Sequence, residues 1–401
     1  MISKLKSKKG FLIDFIVNAI ALTVYIVSQQ LILMPIMSKM LNESSFALFV
    51  MYISIFAIIS NTLGSELGIV RQIFDHKEQQ EEYNLILKKL LIIVFFISFV
   101  CTLLLGYNYL ETIMLSVIIV LANIRLYVSA YFRMFRNFKF VLIQNVLYLV
   151  GVFVGVLFYQ KAHIIWIPCL IAEIFAIIFS FSFSDIKYIF KANITKKIDK
   201  KILISFKDYS LVEFLINMMT YFDKILIYPI LGVNSVNVYY ATTTMSKVVS
   251  LITNPMHGVL LTWLKNDDKQ RRNNIISLCL KYSLPVVFFI SIISIPLTYL
   301  AVKIFYNQYL EQTLIIIIPI GIGVGFSFAS SIIKAFLLKF VESKALLKTY
   351  IYYLISFVLL SLAFSSLFNL WGFAIANMLS RIILIVLFFD QLIKIKKKET
   401  D

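Results

Sequence analysis

Charged side chains stand within stretches of this sequence that are otherwise apolar enough to lie in lipid. In YFDKILIYPIL (residues 221–231), Asp223 and Lys224 are adjacent. A charge at the centre of a bilayer costs about 2.5–3.5 kcal/mol on insertion scales, so such residues pair with one another or face a cavity. Lys247 and Arg381 also lie near the middle of apolar stretches. Three cations at this depth favour an anionic ligand, and phosphate suits ammonium and guanidinium groups.

In the first half of the chain, Arg125 and Glu173 are also charged residues within apolar stretches. Two arrangements fit Arg125: it pairs with Glu173, or its long side chain extends to the cytoplasmic surface. Asp223 has a similar choice, since it could pair with a residue of a neighbouring helix, for example Lys247. Each such pair could be purely structural.

The elements that hold these residues are predicted to be membrane-spanning helices. Of the 401 residues, 60% are hydrophobic and 15% are charged, whereas a soluble domain has about 25% charged residues. The basic N-terminal residues precede an apolar run that continues to about Met34, which is longer than the apolar region of a signal peptide of roughly 7–15 residues. We therefore expect a retained first span. The three cysteines fall in apolar runs and predict no disulfide framework.

The predicted fold class is an all-α polytopic membrane protein. A helix needs about 20 apolar residues to cross the hydrocarbon core. Twelve stretches meet this requirement: 11–35, 46–68, 84–105, 110–132, 140–160, 164–185, 208–231, 236–262, 282–304, 313–335, 349–367 and 372–393.

The distribution of positive charge supports this count. If the N-terminus is cytoplasmic, 31 of the 38 Lys and Arg residues fall on the cytoplasmic side, and only Lys39, Lys161 and Lys303 fall outside. Cytoplasmic loops are enriched in Lys and Arg, so both termini are predicted to be cytoplasmic. The net charge of +17 therefore reports topology and does not indicate a nucleic-acid partner.

Two similar segments indicate an internal repeat. LIDFIVNAI (residues 12–20) aligns without gaps with LVEFLINMM (residues 211–219). The predicted domains are a six-helix lobe over 1–190, a cytoplasmic linker over 191–206 and a second lobe over 207–401. The linker fits either an amphipathic interfacial helix or a solvated basic segment. Six is an even number of crossings, so the lobes would be parallel repeats, and transporters built this way bind substrate between their halves.

Each predicted lobe begins with a helix that carries one polar stripe, and lipid cannot satisfy the hydrogen bonds of such a stripe. The stripes consist of Asp14, Asn18, Tyr25 and Gln29 in the first span, and of Glu213, Asn217, Thr220, Tyr221, Lys224 and Tyr228 in the seventh. The predicted substrate-binding residues combine the intramembrane cations with two tyrosines of the second stripe. They are Arg125, Lys224, Lys247, Arg381, Tyr221 and Tyr228.

Several kinds of chemistry lack their sequence motifs. No G-x-x-x-x-G-K-[ST] sequence predicts an ATP site. The scattered histidines and cysteines do not have metal-ligand spacing, and no Ser/His/Asp group suggests hydrolysis. We expect no catalytic residues, metal or cofactor, and the simplest prediction is a secondary transporter or flippase rather than an enzyme.

Two segments resemble the O-antigen flippases (Wzx type) of the multidrug/oligosaccharidyl-lipid/polysaccharide flippase superfamily. MPIMSKMLNESSFALF (residues 34–49) resembles their proline, short polar loop and entry to the second helix, although Phe46-Ala47 stands where Tyr-Gly is common. YFDKILIYPILGVNSVNVYYATTTMSKV (residues 221–248) resembles their Asp-basic pair and the Tyr-Ala start of the eighth helix. The remaining resemblance is in architecture.

The resemblance implies that the cargo is an oligosaccharide repeat on undecaprenyl diphosphate, turned from the cytoplasmic to the periplasmic face of a bacterial inner membrane. A cationic cavity would neutralise the diphosphate, and Tyr221, Tyr228, Tyr239 and Tyr240 could stack on sugars. The expected partners are this lipid-linked substrate, the bilayer, and a polysaccharide polymerase with its chain-length regulator. Candidates for ion coupling are Asp14, Glu173, Glu213 and Asp223.

Three alternatives remain open at this stage. An ion-coupled multidrug antiporter of the same fold usually carries cations, so the excess of intramembrane cations argues against it. A membrane polysaccharide polymerase usually has a large external loop with arginines, and no such loop is predicted here. A flippase of a lipid-linked peptidoglycan precursor has the same physical requirements and differs only in its cargo.

Overall fold

The computed structural model describes the backbone of residues 2–73, 80–184, 198–263, 269–341 and 343–400. It also describes most of the side chains in these ranges, and the main exceptions are those of residues 2–12, 245–263 and 269–272. Contacts group the chain into two compact units. Unit 1 contains Met1–Met37 and Met51–Phe222, and unit 2 contains Ser38–Val50 and Asp223–Asp401. The predicted lobe boundaries remain a prediction, and residues 185–197, which include much of the predicted linker, lie outside the described residues.

The helices of the first half of the chain are, in order, α1 Ile2–Ile26, a π-helical segment Val27–Leu33, α2 Met34–Met40, α3 Glu43–Ser60, a π-helical segment Asn61–Ser65, α4 Glu66–Ile73, α5 Gln80–Leu104, α6 Tyr109–Met134, α7 Phe138–Ala162 and α8 Ile167–Phe183. Local sequence explains where two of these helices begin. The Asn108 side chain caps α6 by accepting the Glu111 N–H at 2.9 Å. Pro168 lies in the first turn of α8, where its missing N–H costs nothing.

A disturbed stretch of backbone separates α1 from α2. Pro35 lies in the first turn of α2, and proline has no amide hydrogen and its ring clashes with the carbonyl four residues earlier. The π-helical segment Val27–Leu33 ends two residues before it. Such segments disrupt the regular hydrogen-bond register within a helix. The first predicted span therefore contains a stretch of altered helical register within one continuous candidate span, Ile16–Met40, and Gln29 and Gln30 are buried within this stretch.

In unit 1, α7 and α8 pack closely because glycine lies at the contact. A Cβ atom at Gly151 would lie 2.6 Å from the Ala172 Cα, and one at Gly155 would lie 2.5 Å from the Pro168 Cα. These backbones approach more closely than larger side chains would allow.

The second half of the chain consists of α9 Lys200–Trp263, α10 Lys269–Phe305, a 3₁₀ turn Asn307–Tyr309, α11 Leu310–Phe340 and α12 Ser343–Thr400. Two of these helices are interrupted. Gly232 in α9 has φ 78° and ψ −175°, a conformation that is essentially restricted to glycine. Phe368 and Asn369 in α12 are also non-helical.

Within the described residues, nine helices are long and apolar enough to cross a membrane. The structure is thus that of an all-helical, multi-pass membrane protein, as predicted. Two of the nine candidates are much longer than one crossing requires, since they cover Lys200–Thr244 and Lys344–Lys396. Ile167–Phe183 is apolar but shorter, at 17 residues.

Candidate functional site

A buried ion pair lies in α9, at the residues that open the sequence analysis. The Lys224 ammonium donates to the Asp223 Oδ1 at 2.6 Å, and the Lys224 backbone N–H donates to the same oxygen at 2.9 Å. Asp223 is 2% exposed and Lys224 is 3% exposed. The ammonium also lies 5.7 Å from the centroid of the Tyr239 ring. Each charge therefore offsets part of the cost of burying its neighbour.

Arg381 in α12 adds a second cation to this cluster, within electrostatic range of Lys224. Its Nε donates to the Asn377 Oδ1 at 2.7 Å, and its Nη1 donates to the Gly323 carbonyl at 3.3 Å. Both acceptors are uncharged, and no ion pair recorded between described residues includes Arg381. Asp223, Lys224 and Arg381 thus carry one net positive charge, so the group can attract an anion.

The second buried charge pair, in unit 1, joins α6 to α8. Arg125 Nε donates to Glu173 Oε2 at 2.8 Å, and Arg125 Nη2 donates to Glu173 Oε1 at 3.1 Å. The two side chains are 1% and 0% exposed. The guanidinium carbon also lies 4.5 Å from the centroid of the Tyr25 ring and 4.9 Å from that of Tyr148. The predicted pairing is therefore confirmed, and the alternative in which Arg125 extends to the surface is wrong.

A hydrogen-bond network surrounds this pair. Gln144 in α7 accepts a short hydrogen bond from the Ser129 hydroxyl, and its amide donates to the Ser180 hydroxyl at 2.6 Å and to the Arg125 carbonyl at 3.3 Å. All of these side chains are buried. Because its polar groups are satisfied and its charges cancel, this cluster is suited to fixing the packing of α6, α7 and α8 rather than to attracting an ion.

The other predicted residues are distributed as follows. Asp14 lines a cleft in unit 1 together with the exposed Arg136 and Lys139. Tyr25, which contacts Arg125, lies eleven residues after Asp14 in the same helix. This spacing places Asp14 about 16 Å along the helix axis from Tyr25, so Asp14 does not join the Arg125–Glu173 pair. Glu213, Tyr221 and Tyr228 are half-buried. The side chain of Lys247 lies outside the described residues.

Asp223 pairs with its sequence neighbour Lys224, because the helical backbone lets the carboxylate fold back onto both the amide and the ammonium of the next residue. The expected pairing of Asp223 with Lys247 stays a prediction, because the Lys247 side chain lies outside the described residues. One expectation needs correction. Tyr239 and Tyr240 are 0% and 1% exposed. Their rings pack edge-to-face against Phe373 and Tyr306, so in this structure they belong to the core and are not available to sugars.

Sequence reasoning placed Arg71 only among the cytoplasmic charges, yet its side chain is buried within unit 1 at 2% exposure. Tyrosines at i and i+4 in α6, Tyr127 and Tyr131, were the available signal, since both contact it. No group of three or more potential metal-ligand side chains occurs among the described residues.

The fold matches that of known membrane transporters and flippases. An inward-facing multidrug resistance MATE family transporter of the MOP superfamily has 14% sequence identity over 95% of this chain and 99% of its own, with a TM-score of 0.69. The lipid II flippase MurJ, in an inward closed conformation, has 15% identity over 98% of this chain and 90% of its own, with a TM-score of 0.65.

A third match is a MOP superfamily transporter from Pyrococcus furiosus, whose structure is described as having a binding pocket of reverse polarity that suggests a different function. It has 15% identity over 97% of this chain and 96% of its own, with a TM-score of 0.57. At these identities the likeness shows the fold alone. The chain thus has the MOP superfamily fold.

The sequence family is narrower than the fold. The model of the polysaccharide biosynthesis protein family matches residues 15–265, which is more than half of the chain, so the chain belongs to that family. No curated protein matches it.

Proposed function

We propose that this chain is a flippase that moves undecaprenyl-diphosphate-linked O-antigen, or similar polysaccharide repeat units, from the cytoplasmic to the periplasmic face of the bacterial inner membrane. The observation that carries the proposal is the membership of a chain with the MOP fold in the polysaccharide biosynthesis family. Polysaccharide repeats assembled on a lipid must cross the bilayer, and a membrane protein without an enzymatic motif suits that step.

The proposed topology has twelve crossings with both termini in the cytoplasm. Lys200–Thr244 and Lys344–Lys396 have 45 and 53 residues, and at 1.5 Å per residue each is at least about twice as long as the 30 Å hydrocarbon core. The breaks at Gly232 and at Phe368–Asn369 supply a turn for two crossings in each. With Ile167–Phe183 as a further crossing, these divisions of the nine candidate spans support the proposed count.

In the proposed mechanism, the diphosphate binds to cations of the second lobe. Arg381 supports this role because both of its described acceptors are uncharged and Lys224 lies within electrostatic range. Lys247 would add a third charge, and Tyr221 and Tyr228 are the tyrosines proposed to contact sugars. Rocking of the two lobes would expose this site alternately to each side of the membrane. The polysaccharide polymerase and its chain-length regulator are the proposed partners on the periplasmic side.

Arg125 and Glu173 fit a structural role better than the binding and coupling roles expected from sequence. Each is almost fully buried and neutralised by the other. Asp14 and Glu213 remain the candidates for ion coupling whose carboxylates are not held in either buried pair, and Asp223 would couple only by releasing Lys224.

An ion-coupled multidrug antiporter is the second candidate, because MATE transporters are among the structures of similar fold. A cationic cargo would be repelled by the net positive charge of Asp223, Lys224 and Arg381. A peptidoglycan-precursor flippase would satisfy the same electrostatics, and the lipid II flippase MurJ shares the fold. Family membership favours a polysaccharide cargo over both.

Complementation tests the proposal. The chain is expressed in a bacterial strain that lacks its own O-antigen flippase and makes the matching repeat unit, and surface polysaccharide is read from a gel ladder. Lys224→Ala, Lys247→Ala and Arg381→Ala are compared at matched membrane levels. Lys394→Ala is the control, because this cation has a side chain that is 61% exposed and pairs only with the exposed Asp390 among the described residues.

We expect the wild type and Lys394→Ala to restore the ladder and Arg381→Ala to abolish it. Restoration by every variant would keep the flippase and remove the diphosphate-binding role of these cations. Failure of the wild type, in a host confirmed to make the repeat unit, would refute the polysaccharide cargo and favour the antiporter.

A further inference from the structure

Arg71 is the second-last residue of the candidate span Glu43–Gln72, and the ends of a membrane span are expected near the boundary with the lipid headgroups. Although it is close to this boundary, its side chain is 2% exposed and is one of the largest fully buried side chains in the described chain. Burying a guanidinium is costly unless its charge and its five N–H donors are satisfied. The contacts of Arg71 therefore show which of its N–H donors have an acceptor and which do not.

Three tyrosines surround the guanidinium within unit 1. Arg71 Nη1 donates to the Tyr127 hydroxyl at 3.0 Å. The guanidinium carbon lies 5.5 Å from the centroid of the Tyr83 ring and 5.3 Å from that of Tyr131. Aromatic faces attract a cation, but they leave most of the N–H donors without an acceptor.

Close packing of α4 and the preceding π-helical segment against α6 brings this group together. Gly68 and Arg71 are three residues apart in α4, so they share one helix face, and Gly64 in the π-helical segment also faces α6. A Cβ at Gly64 would lie 2.6 Å from the Asn123 backbone, and one at Gly68 would lie 2.5 Å from the Ala130 Cβ. The glycines allow this approach, and Arg71 follows Gly68 on the same face, so it is held against Tyr127 and Tyr131.

One edge of the guanidinium is unsatisfied. Arg71 Nε and Nη2 are buried and have no hydrogen-bond partner within the described part of the chain. The same edge of Arg125, its Nε and Nη2, holds both oxygens of Glu173 at 2.8 and 3.1 Å. Nε and Nη2 form the fork that binds two oxygens of a carboxylate or phosphate in parallel. Arg71 thus has the same pair of donors that binds Glu173 in Arg125, but in Arg71 this pair has no acceptor among the described residues.

Two acidic residues close to this site within the described part of the chain, Glu82 and Glu66, interact with other groups. Glu82 is within electrostatic range of Tyr83 and accepts the Asp199 backbone N–H at 3.0 Å. Glu66, which precedes Arg71 in α4, is within electrostatic range of Arg133. In the ion pairs recorded between described residues, no carboxylate pairs with Arg71.

We propose that the Nε–Nη2 edge of Arg71 is a second anion site, separate from the Arg381 cluster, and that it binds two oxygens of a phosphate group at headgroup depth. The phosphate can be that of a membrane lipid or free phosphate, since both present the same oxygens. The edge is enclosed in this structure, so binding includes movement of the side chains that cover it. The site does not depend on the proposed cargo, because it requires only a phosphate at the membrane surface.

Native mass spectrometry of the full chain in a maltoside detergent, which contains no phosphate, tests this site. Phosphatidic acid and inorganic phosphate are titrated separately against the wild type, Arg71→Lys and Arg136→Lys. Lysine keeps the charge but cannot form the fork, so we expect Arg71→Lys to bind phosphatidic acid about tenfold or more weakly. Arg136→Lys, a change at an exposed arginine, should remain within about twofold of the wild type.

Competition then identifies the source of the phosphate. If inorganic phosphate displaces phosphatidic acid at comparable concentration, the site takes free phosphate, and if it does not, the site takes a lipid headgroup. Both results support the site. Binding by Arg71→Lys at wild-type affinity for both probes would overturn it, whatever the outcome of the complementation test.

Hydrogen exchange of the wild type supplies a second measurement in case Arg71→Lys does not fold. Phosphatidic acid should slow amide exchange in peptides of α4 and in those that contain Tyr127 and Tyr131, and should leave peptides of α10 unchanged. If saturating phosphatidic acid leaves the amide exchange rates in α4 and α6 unchanged, the proposal is overturned, and this result needs no variant protein.

Discussion

Replacing Glu173 with Gln is expected to destabilise the protein strongly, because it leaves Arg125 charged and buried. The side chains are nearly isosteric, so the substitution removes charge without creating a cavity. In the native protein, both carboxylate oxygens accept from Arg125, and the two side chains are 1% and 0% exposed. After the substitution the guanidinium has no counter-charge among the described residues.

The magnitude follows from the burial of the pair. Removing one partner of a buried ion pair costs about 3–5 kcal/mol, because the remaining charge is uncompensated. Tyr25 and Tyr148 still face the guanidinium at 4.5 and 4.9 Å, and desolvated cation–π contacts are worth up to about 2 kcal/mol. We therefore expect a loss near the lower limit, about 3 kcal/mol of unfolding free energy. Replacing both Arg125 and Glu173 with Met should recover at least half of it, since an apolar pair leaves no buried charge.

The protein provides its own reporter for this measurement. Cys101, Cys169 and Cys279 are free, and Cys169 is buried one helical turn from Glu173 in α8. Pulse labelling with a maleimide dye during an SDS titration reports the fraction of unfolded protein through exposure of these thiols. Asp390→Asn is the matched control. It breaks the Lys394–Asp390 ion pair, which is 2.5 Å long but has side chains that are 61% and 53% exposed, and such pairs contribute about 0.5 kcal/mol or less.

Two results would refute this reasoning. A loss below about 1 kcal/mol for Glu173→Gln would show that the pair is much better solvated than its burial indicates. A double variant as unstable as the single one would show that the loss comes from side-chain packing and not from the unpaired charge.

Two further predictions use the same titration. Asp223→Asn leaves Lys224 uncompensated at 3% exposure and should cost about 3 kcal/mol, while adding Lys224→Met should restore stability; equal instability of both variants would contradict this. Gly155→Ala should cost about 1–3 kcal/mol, because its Cβ would lie 2.5 Å from the Pro168 backbone. Gly323→Ala, whose nearest neighbour lies 3.5 Å away, should be neutral or stabilising by up to about 1 kcal/mol, and a similar loss in both glycine variants would disprove the packing argument.

The apolar spans and the charged residues within them could be predicted from the sequence. Whether a stretch enters a membrane depends on its own length and composition, so the spans predicted over 84–105 and 110–132 correspond to Gln80–Leu104 and Tyr109–Met134. Where an irregular residue interrupts a helix is less predictable. Gly232 separates two predicted spans, but the π-helical segment Val27–Leu33 has no comparable signal beyond Pro35.

The sequence by itself determined that this is an all-helical, multi-pass membrane protein with charges that require a partner at depth, because both properties follow from the cost of placing each residue in hydrocarbon. Only the tertiary structure decided the partners. Arg125 meets Glu173 across 48 residues of sequence, and Arg71 meets Tyr127 across 56. Such contacts depend on how far each helix is rotated and how closely its neighbours approach, and glycines at helix contacts set that distance as much as the charged residues do.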